Sequence, residues 1–407
     1  METRTNFYRY LISKFDIIIP NEEPLKLRQA NIYSFRIERD YDNLFFPIFQ
    51  VKLLIDYPLY YKIVKNKTTV KFNVKLESYQ YTDTEKVKFR ETIFDSTFAI
   101  YTDDDNFHLD KDNYNRMMDI TDNQMTGGFI ELYLFKESDI TSSRTVINRI
   151  LQSSNITDAL VYLLSKSGTS KLLMSPLQNT NQYNEIALLP TTIIQNILYL
   201  EKRYGFYKNG SILFYDFDTT YLLSKTALGN TYKPNEYKKV IIEVYKTANN
   251  RSFTPGNFKD NITKTYTLHV TRDNLSINTK SIIENEISGS EVNLISGSSD
   301  SVSTAKPDVR VRSNHNSKYL VNNFNNPFLK DMIENEKIEN DHILTINAVD
   351  FDMGLLSPNK QYSFICEGSE LQKEYGGNYR LSSEILMFER EGDDFSIEAA
   401  LKFKKPK

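Results

Sequence analysis

Tryptophan is absent from this 407-residue chain, and cysteine occurs once, at Cys366. A lone cysteine excludes an intrachain disulfide, and with it the stapled scaffolds of small secreted domains. The four histidines, His108, His269, His315 and His342, are scattered, and none has a cysteine or second histidine at metal-ligand spacing. No run of eighteen apolar residues occurs, so no membrane-spanning helix is expected. The first residues, METRTNFYRYLISKF, lack the apolar core and small-residue cleavage site of a signal peptide. An excess of one charge is missing too. A formal net charge of -3 argues against non-specific binding to DNA or to an anionic membrane as the main role. Neither a glycine-rich phosphate loop nor a nucleophile elbow is present.

What the chain has in quantity is tyrosine and phenylalanine, 27 and 25 residues, together with many isoleucines, valines and threonines. That mixture favours strands over helices and suits large packed surfaces. The length is enough for roughly two to four domains. Near the start, TTVKFNVKLESYQY sets Val70, Phe72, Val74 and Leu76 against Lys71, Asn73, Lys75 and Glu77. This period of two predicts a sheet with Lys and Glu outward. FDIIIP aligns Phe15, Ile17 and Ile19 on one side of another strand. NLFFPIFQVKLLID, IYSFRIERDY and VKFRETIFDSTFAIYTD bring the strand candidates to five, with Pro47 predicting an edge strand or a bulge.

The middle third changes period. SSNITDALVYLLSKSG predicts a helix capped by Asn155 or Thr157, with Ile156, Leu160, Leu163 and Leu164 on one side. PTTIIQNILYLEKRYG predicts a second, grouping Ile193, Ile194, Ile197, Leu198 and Tyr204 and stopping at Gly205. Strands return in SILFYDF, YKKVIIEVYKT, KTYTLHVTR and EVNLISG, interrupted by a Ser-rich stretch, 297–317, that predicts an exposed loop. At the end, Phe395, Ile397, Ala399, Leu401 and Phe403 alternate after a Gly392-Asp393-Asp394 turn. The fold class is therefore mainly β with a helical central part.

Candidates for chemistry are few. Asp103, Asp104, Asp105, Asp110 and Asp112 lack the glycine and closing glutamate of a calcium loop. They suit a solvated linker or a long hairpin. Cys366, in QYSFICEGSE, occupies a position where a small buried residue is expected. Asp216 and Asp218, in ILFYDFDTTYLL, project to one face if the strand continues. Such a pair can hold Mg²⁺ with a third carboxylate or a phosphate, or it can serve as backbone hydrogen-bond acceptors. A glycosidase pair depends on a carboxyl separation that sequence does not measure. No catalytic, cofactor-binding or metal residue is assigned.

The stretch LLPTTIIQNILYLEKRYGFYKNGSILFYDFDTTYLLSK resembles the central segment of baseplate or tail hub proteins of tailed bacteriophages. DHILTINAVDFDMGLLSPNKQYSF, EYGGNYRLSS and FEREGDDFSIEAALKF look like the closing β-domain of the same family. That family is similar to the N-terminal part of type VI secretion spike proteins. The resemblance implies two tail-tube-like β-barrels per chain. Residues 1–102 would form the first, 103–220 a mixed centre with helices near 155–166 and 191–204, and 221–407 the second. It also implies a homotrimeric ring of pseudo-sixfold symmetry, with tail tube or tube-initiator proteins above, the central spike below and baseplate wedge proteins around it. Genomic DNA would pass through without specific binding. The protein would be made in the host cytoplasm as a late protein, reside in the virion baseplate, and carry no cofactor, membrane anchor or enzyme activity. Asp216 and Asp218 would then be structural. The loop at 297–317 looks like an insertion, and the spike and any cell-wall hydrolase would be separate chains. Two other readings stay open: a hexameric distal-tail or tube-terminating adaptor ring, and a carbohydrate-binding tail module.

Overall fold

The computed structural model describes residues 6–82, 90–100, 127–168, 171–217, 219–226, 239–247, 257–260, 265–281, 326–328 and 340–405. The two ends of the chain meet in one closed barrel. From the N-terminal side come β1 (Asn6–Ile18), with the short β2 (Leu25–Lys26) on its flank, and β3 (Ile32–Asp40), β4 (Ile48–Asp56), β5 (Lys71–Thr82), β6 (Arg90–Ile100) and β7 (Gly127–Lys136). The last hairpin of the chain, Gly377–Glu391 and Asp394–Lys404, completes the ring. Going round, the order is β1-β5-β6-β7-β4-β3, then the first and second strands of that hairpin, and back to β1 through Tyr10 opposite Phe395. Three of the eight strands thus come from outside residues 1–102.

Eight strands leave an interior that side chains can fill. Here aromatics fill it. Phe35 stacks on Phe388 at 4.2 Å between centroids, Tyr10 meets Phe388 edge-on at 5.1 Å, and Phe49 lies 5.3 Å from Phe98. Phe15, Ile17 and Ile19 are buried, as are Val70, Phe72, Val74 and Leu76, and Phe395 through Phe403 at every second residue. The alternation that marked these strands is their barrel face.

Two expectations change. Glu77 keeps the side of β5 that carries Lys75, whose Nζ meets it at 2.9 Å, yet it is buried; the bulge beside it lies in β6, where Ile93 is the extra residue. Pro47 marks neither an edge strand nor a bulge within one. It sits immediately before β4, which is paired on both sides, so the missing N–H costs the ladder nothing.

Two helices join this part: α1 (Tyr57–Lys65), capped by Asp56, and α2 (Glu137–Arg144), which follows β7 directly. The centre then forms a ribbon of β8 (Val146–Asn155) and β10 (Gln182–Thr192), with α3 (Ile156–Lys166) and α4 (Ile193–Tyr204) packed on one face. Of the two caps the sequence offers, Asn155 and Thr157, it is Asn155 that caps α3, in a reciprocal box with Asp158. Thr192 caps α4, and Gly205 ends it at φ +71, where an L side chain would be strained. Leu198, grouped with the apolar stripe of α4 in the sequence, is 42% exposed instead. Residue 198 follows Ile197 by only one position, and 100° of rotation carries it off the stripe.

A small sheet, β9 (Leu172–Met174), β11 (Ser211–Tyr215) and β12 (Thr220–Ser224), lies between this helical layer and the barrel. Ile212, Phe214, Tyr221 and Leu223 face the barrel core. Leu213, Tyr215 and Leu222 face the helices. Burial on both faces explains why SILFY and YLL are nearly continuous apolar runs.

The remaining strands are β13 (Lys239–Tyr245), β14 (Asn257–Asp260), β15 (Thr265–Thr271), β16 (Leu275–Ser281), β17 (Asn340–Val349) and β18 (Gln361–Cys366). After the short α5 (Ser369–Tyr375) come the two hairpin strands, β19 and β20. The chain of pairings β14-β15-β13-β18 leads into β19, and β17-β16 continues from β20. The final hairpin therefore belongs both to the closed barrel and to this extension of the same sheet, which also returns to β1 through Asn6 opposite Asn257. Val244, Val270 and Cys366 align in one buried row, which gives the single cysteine a packing role. The chain is mainly β with its helices concentrated centrally, in agreement with the sequence.

Phe388 has no exposure and touches Tyr10 and Phe35. Phe388→Ala should lower unfolding free energy by about 3–5 kcal/mol, read as a shifted urea midpoint at unchanged slope.

Candidate functional site

Asp216 decides what the aspartates of the centre do. The strand β11 ends at Tyr215 and the chain reverses, with Asp216 N–H donating to Thr219 O at 2.9 Å. The expected continuous strand through residues 214–223 is thus a hairpin. Phe217 swings to the same side as Phe214 and enters the barrel, 4.4 Å from Phe94 between ring centroids. Asp218 lies outside the described residues, as do the acidic stretch 103–112, His108, His315 and the loop 297–317. Among the described residues, no group of three or more His, Cys, Asp or Glu side chains converges on a metal-sized site. His269 pairs with Glu243 at 3.1 Å. Burial pushes the Cys366 thiol up to about 11, away from thiolate chemistry.

The side chain of Asp216 accepts from Arg39 Nε at 2.9 Å, and from its neighbour Phe217 N–H at the same distance. Arg39 Nη1 donates to Glu384 Oε1 at 2.5 Å, and Tyr41 OH donates to the same oxygen at 3.3 Å. The guanidinium sits 5.2 Å from the centre of the Phe217 ring. Arg39 and Glu384 occupy inward positions of β3 and β19, following Phe35 and Ile37 on one strand and preceding Leu386 and Phe388 on the other. A strand parity that elsewhere carries apolar residues here carries an ion pair at the barrel mouth.

Burial draws the Arg39 guanidinium down, but Asp216 and Glu384 more than offset it, so its pKa lies above the ordinary value. Burial pushes the Glu384 carboxyl up, and Arg39 opposes that. A second carboxylate, Asp42, lies close by with Arg380 Nη2 at 2.8 Å, Lys404 Nζ at 3.1 Å and Ser382 Oγ at 2.6 Å. Burial would raise the Asp42 pKa, yet the two cations win and hold it below the usual carboxylate range. Together these groups tie β3 and its following turn to the final hairpin and to the β11–β12 tip.

This geometry holds charge in place. Both carboxylates on Arg39 share one guanidinium, and neither lines the neighbouring cleft of about 370 Å³. That cleft is bounded by Asp95, Ser96, Thr97, Lys136, Glu137, Ser138 and Phe217, and Lys136 Nζ is engaged by the Phe217 carbonyl.

A protein family described as Bacteriophage PBS1 gene 109 protein matches residues 9–405 of this sequence. The chain belongs to that family. The bacteriophage resemblance carried by residues 188–225 and by the C-terminal strands agrees with the assignment. No curated protein sequence matches the chain. Among solved structures, a tail protein from Neisseria meningitidis MC58 is similar at TM-score 0.46 and 8% identity, covering 98% of this chain and 97% of that one. The 43 kDa tail protein of prophage MuSo2 from Shewanella oneidensis is similar at TM-score 0.44 and 8% identity, covering 97% of each. The E. coli c3393 protein, a component of the type VI secretion system, is similar at TM-score 0.41 and 8% identity, covering 95% of this chain and 76% of that one. Family membership rests on the sequence match.

Two predictions test the site. Arg39→Met leaves Glu384 buried without its cation and should cost about 3–5 kcal/mol in urea unfolding, while Arg39→Met with Glu384→Leu should recover most of the loss. The second concerns Asp139 of α2, which is 5% exposed, with Oδ2 lacking a hydrogen-bond partner among the described residues. Burial pushes its carboxyl up to about 7; Lys136 and Ser138 oppose the shift and Asp216 adds to it. An aspartate in the unfolded chain titrates near 4, so stability should fall as pH rises from about 4 to about 7 and then level off. Asp139→Asn should remove that slope and be the more stable protein at pH 8, by up to about 4 kcal/mol. Urea midpoints at pH 5 and pH 8 for both proteins measure it.

Proposed function

We propose that this chain is the hub of a bacteriophage tail baseplate, three copies forming a pseudo-sixfold ring that joins the tail tube to the central spike. The observation that supports this most is the final hairpin β19–β20, common to the closed barrel and to the strands β14-β15-β13-β18 and β17-β16 that extend its sheet. It fixes two β units within one subunit, which is what a threefold assembly needs to offer six similar positions. In this reading residues 1–102, joined by β7 and the hairpin, supply one tube-like unit. Residues 103–220 supply the centre, and 221–407 the other unit. The outer edge of β16 is unpaired among the described residues, and assembly gives such an edge a partner.

The hub would meet tail tube or tube-initiator proteins above, the spike below and wedge proteins at its rim, with the genome passing through the ring. It would be synthesised in the host cytoplasm and reside in the virion. It acts by holding other proteins, without catalysis. The aspartate that invited a metal reading is consumed by Arg39.

Native mass spectrometry of the purified chain should give three copies. Six copies would transfer the assignment to an adaptor ring, and a stable monomer within assembled particles would overturn both. The chain should also leave peptidoglycan, glycans and phosphoesters intact with or without Mg²⁺. Turnover that needs Mg²⁺ and disappears in Asp216→Asn would refute the non-enzymatic part.

A further inference from the structure

Two surfaces of the chain expose apolar side chains in ordered strands, and they differ in shape and charge. The first is the outside of the barrel across β3, β4 and β7. Registration places Leu54 opposite Phe129 and Gln50 opposite Tyr133, with the aromatic members alternating with the buried Ile130, Leu132 and Leu134. Tyr33 joins them because a register shift between Ile32 and Ser34 turns it outward, where its ring meets Phe129 at 5.1 Å. Tyr33 is 53% exposed. Lys52 Nζ lies over both rings, at 5.2 and 5.0 Å, and no carboxylate is within ion-pair distance of it among the described residues. Glu131, its partner in the β4–β7 register, is engaged by Gln50.

The second surface is the outer face of the β8–β10 ribbon. Its inner side, with Ile186 and Leu188, packs on α3 and α4. The outer side carries Val146 and Ile150, 61% and 60% exposed, with Ala187 opposite Ile150 and Glu185 opposite Gln152. No cation lies within ion-pair distance of Glu185 among the described residues. A ribbon face with aliphatic side chains and one anion that has no ion-pair partner among the described residues faces the solvent on one part of the chain. An aromatic sheet face with one unpaired cation does so on another.

We infer that these surfaces bind each other between copies: the ribbon of one subunit lies on the β3–β4–β7 face of the next, and Glu185 meets Lys52. This rests on the ring reading and says how the ring is made. The contact is head-to-tail, because the two surfaces are unlike, and a head-to-tail contact uses both in every subunit and closes when the rotation does. Sheet lies on sheet, the arrangement that strand faces adopt in sandwiches. The central lysine and glutamate set the register and disfavour ribbon-on-ribbon and barrel-on-barrel pairing, which would bring like charges together.

The test uses full-length chains and reads mass by light scattering. Ile150→Asp spoils only the ribbon, and Phe129→Asp spoils only the barrel face. Both positions are exposed, and unchanged circular dichroism and melting verify the fold. Each variant alone should lose the oligomer. Mixed in equal amounts they should form 1:1 dimers, because one intact surface of each kind remains. As a second route, Lys52→Glu and Glu185→Lys should each weaken assembly at least tenfold, and the double exchange should restore it. Oligomers that survive either single aspartate variant, or a mixture that stays monomeric, would overturn the contact and leave the hub reading standing. A wild-type chain that is monomeric at all concentrations would defeat the ring itself.

Discussion

The bond between Arg39 and Asp216 joins the two hydrophobic cores of the molecule. Arg39 belongs to a barrel strand, whereas Asp216 belongs to the hairpin that divides the barrel from the helices. On one side of that hairpin lies a core of aromatic rings, on the other a core of isoleucine and leucine. Apolar contact alone would let the hairpin slide, since dispersion has no direction. The guanidinium, fixed by Glu384 behind and Asp216 in front, sets one position. A buried ion pair contributes little net stability, because desolvation cancels much of the attraction. Its value here is register.

The same logic accounts for the Asp42 group. Arg380 and Lys404 come from the two strands of the final hairpin, and Asp42 from the turn after β3. One carboxylate therefore holds three segments that are far apart in sequence. Loss of this clamp on acidification belongs below the ordinary carboxylate range, since its cations depress the Asp42 pKa. Asp139 acts in the opposite sense and in a higher range: burial raises its pKa to about 7, so its ionisation costs stability as pH rises.

Much of the fold could be read from period alone. Val70 to Leu76 and Phe395 to Phe403 gave strands with the correct inward face, and Asn155 and Gly205 bounded helices through their own chemistry. Glu77 escaped because it keeps its expected side of β5 but is covered there by the surrounding fold, and the period of one strand does not show what covers its outer side. The clamp escaped for a related reason. Arg39 and Glu384 do stand at apolar positions of alternating strands, and that misplacement was a signal available in the sequence. Their partnership across 345 positions was not. Asp216 attracted notice for its neighbour Asp218, whereas its partner proved to be Arg39.

Because β19 and β20 close the barrel that β1 opens, nascent chain leaving the ribosome carries an incomplete ring until this hairpin emerges. At about 5–20 residues per second, the interval between emergence of β3 and of β19 is roughly 17–70 s. During that interval β1 and β3 present open edges and the aromatic interior lacks Phe388 and Phe395. Open edges and exposed rings are what chaperones hold and what misassembly exploits. A message truncated before codon 377 would yield chains that cannot close at all. Closure thus waits for the hairpin Gly377–Lys404: only a chain that includes it acquires the closed barrel surface.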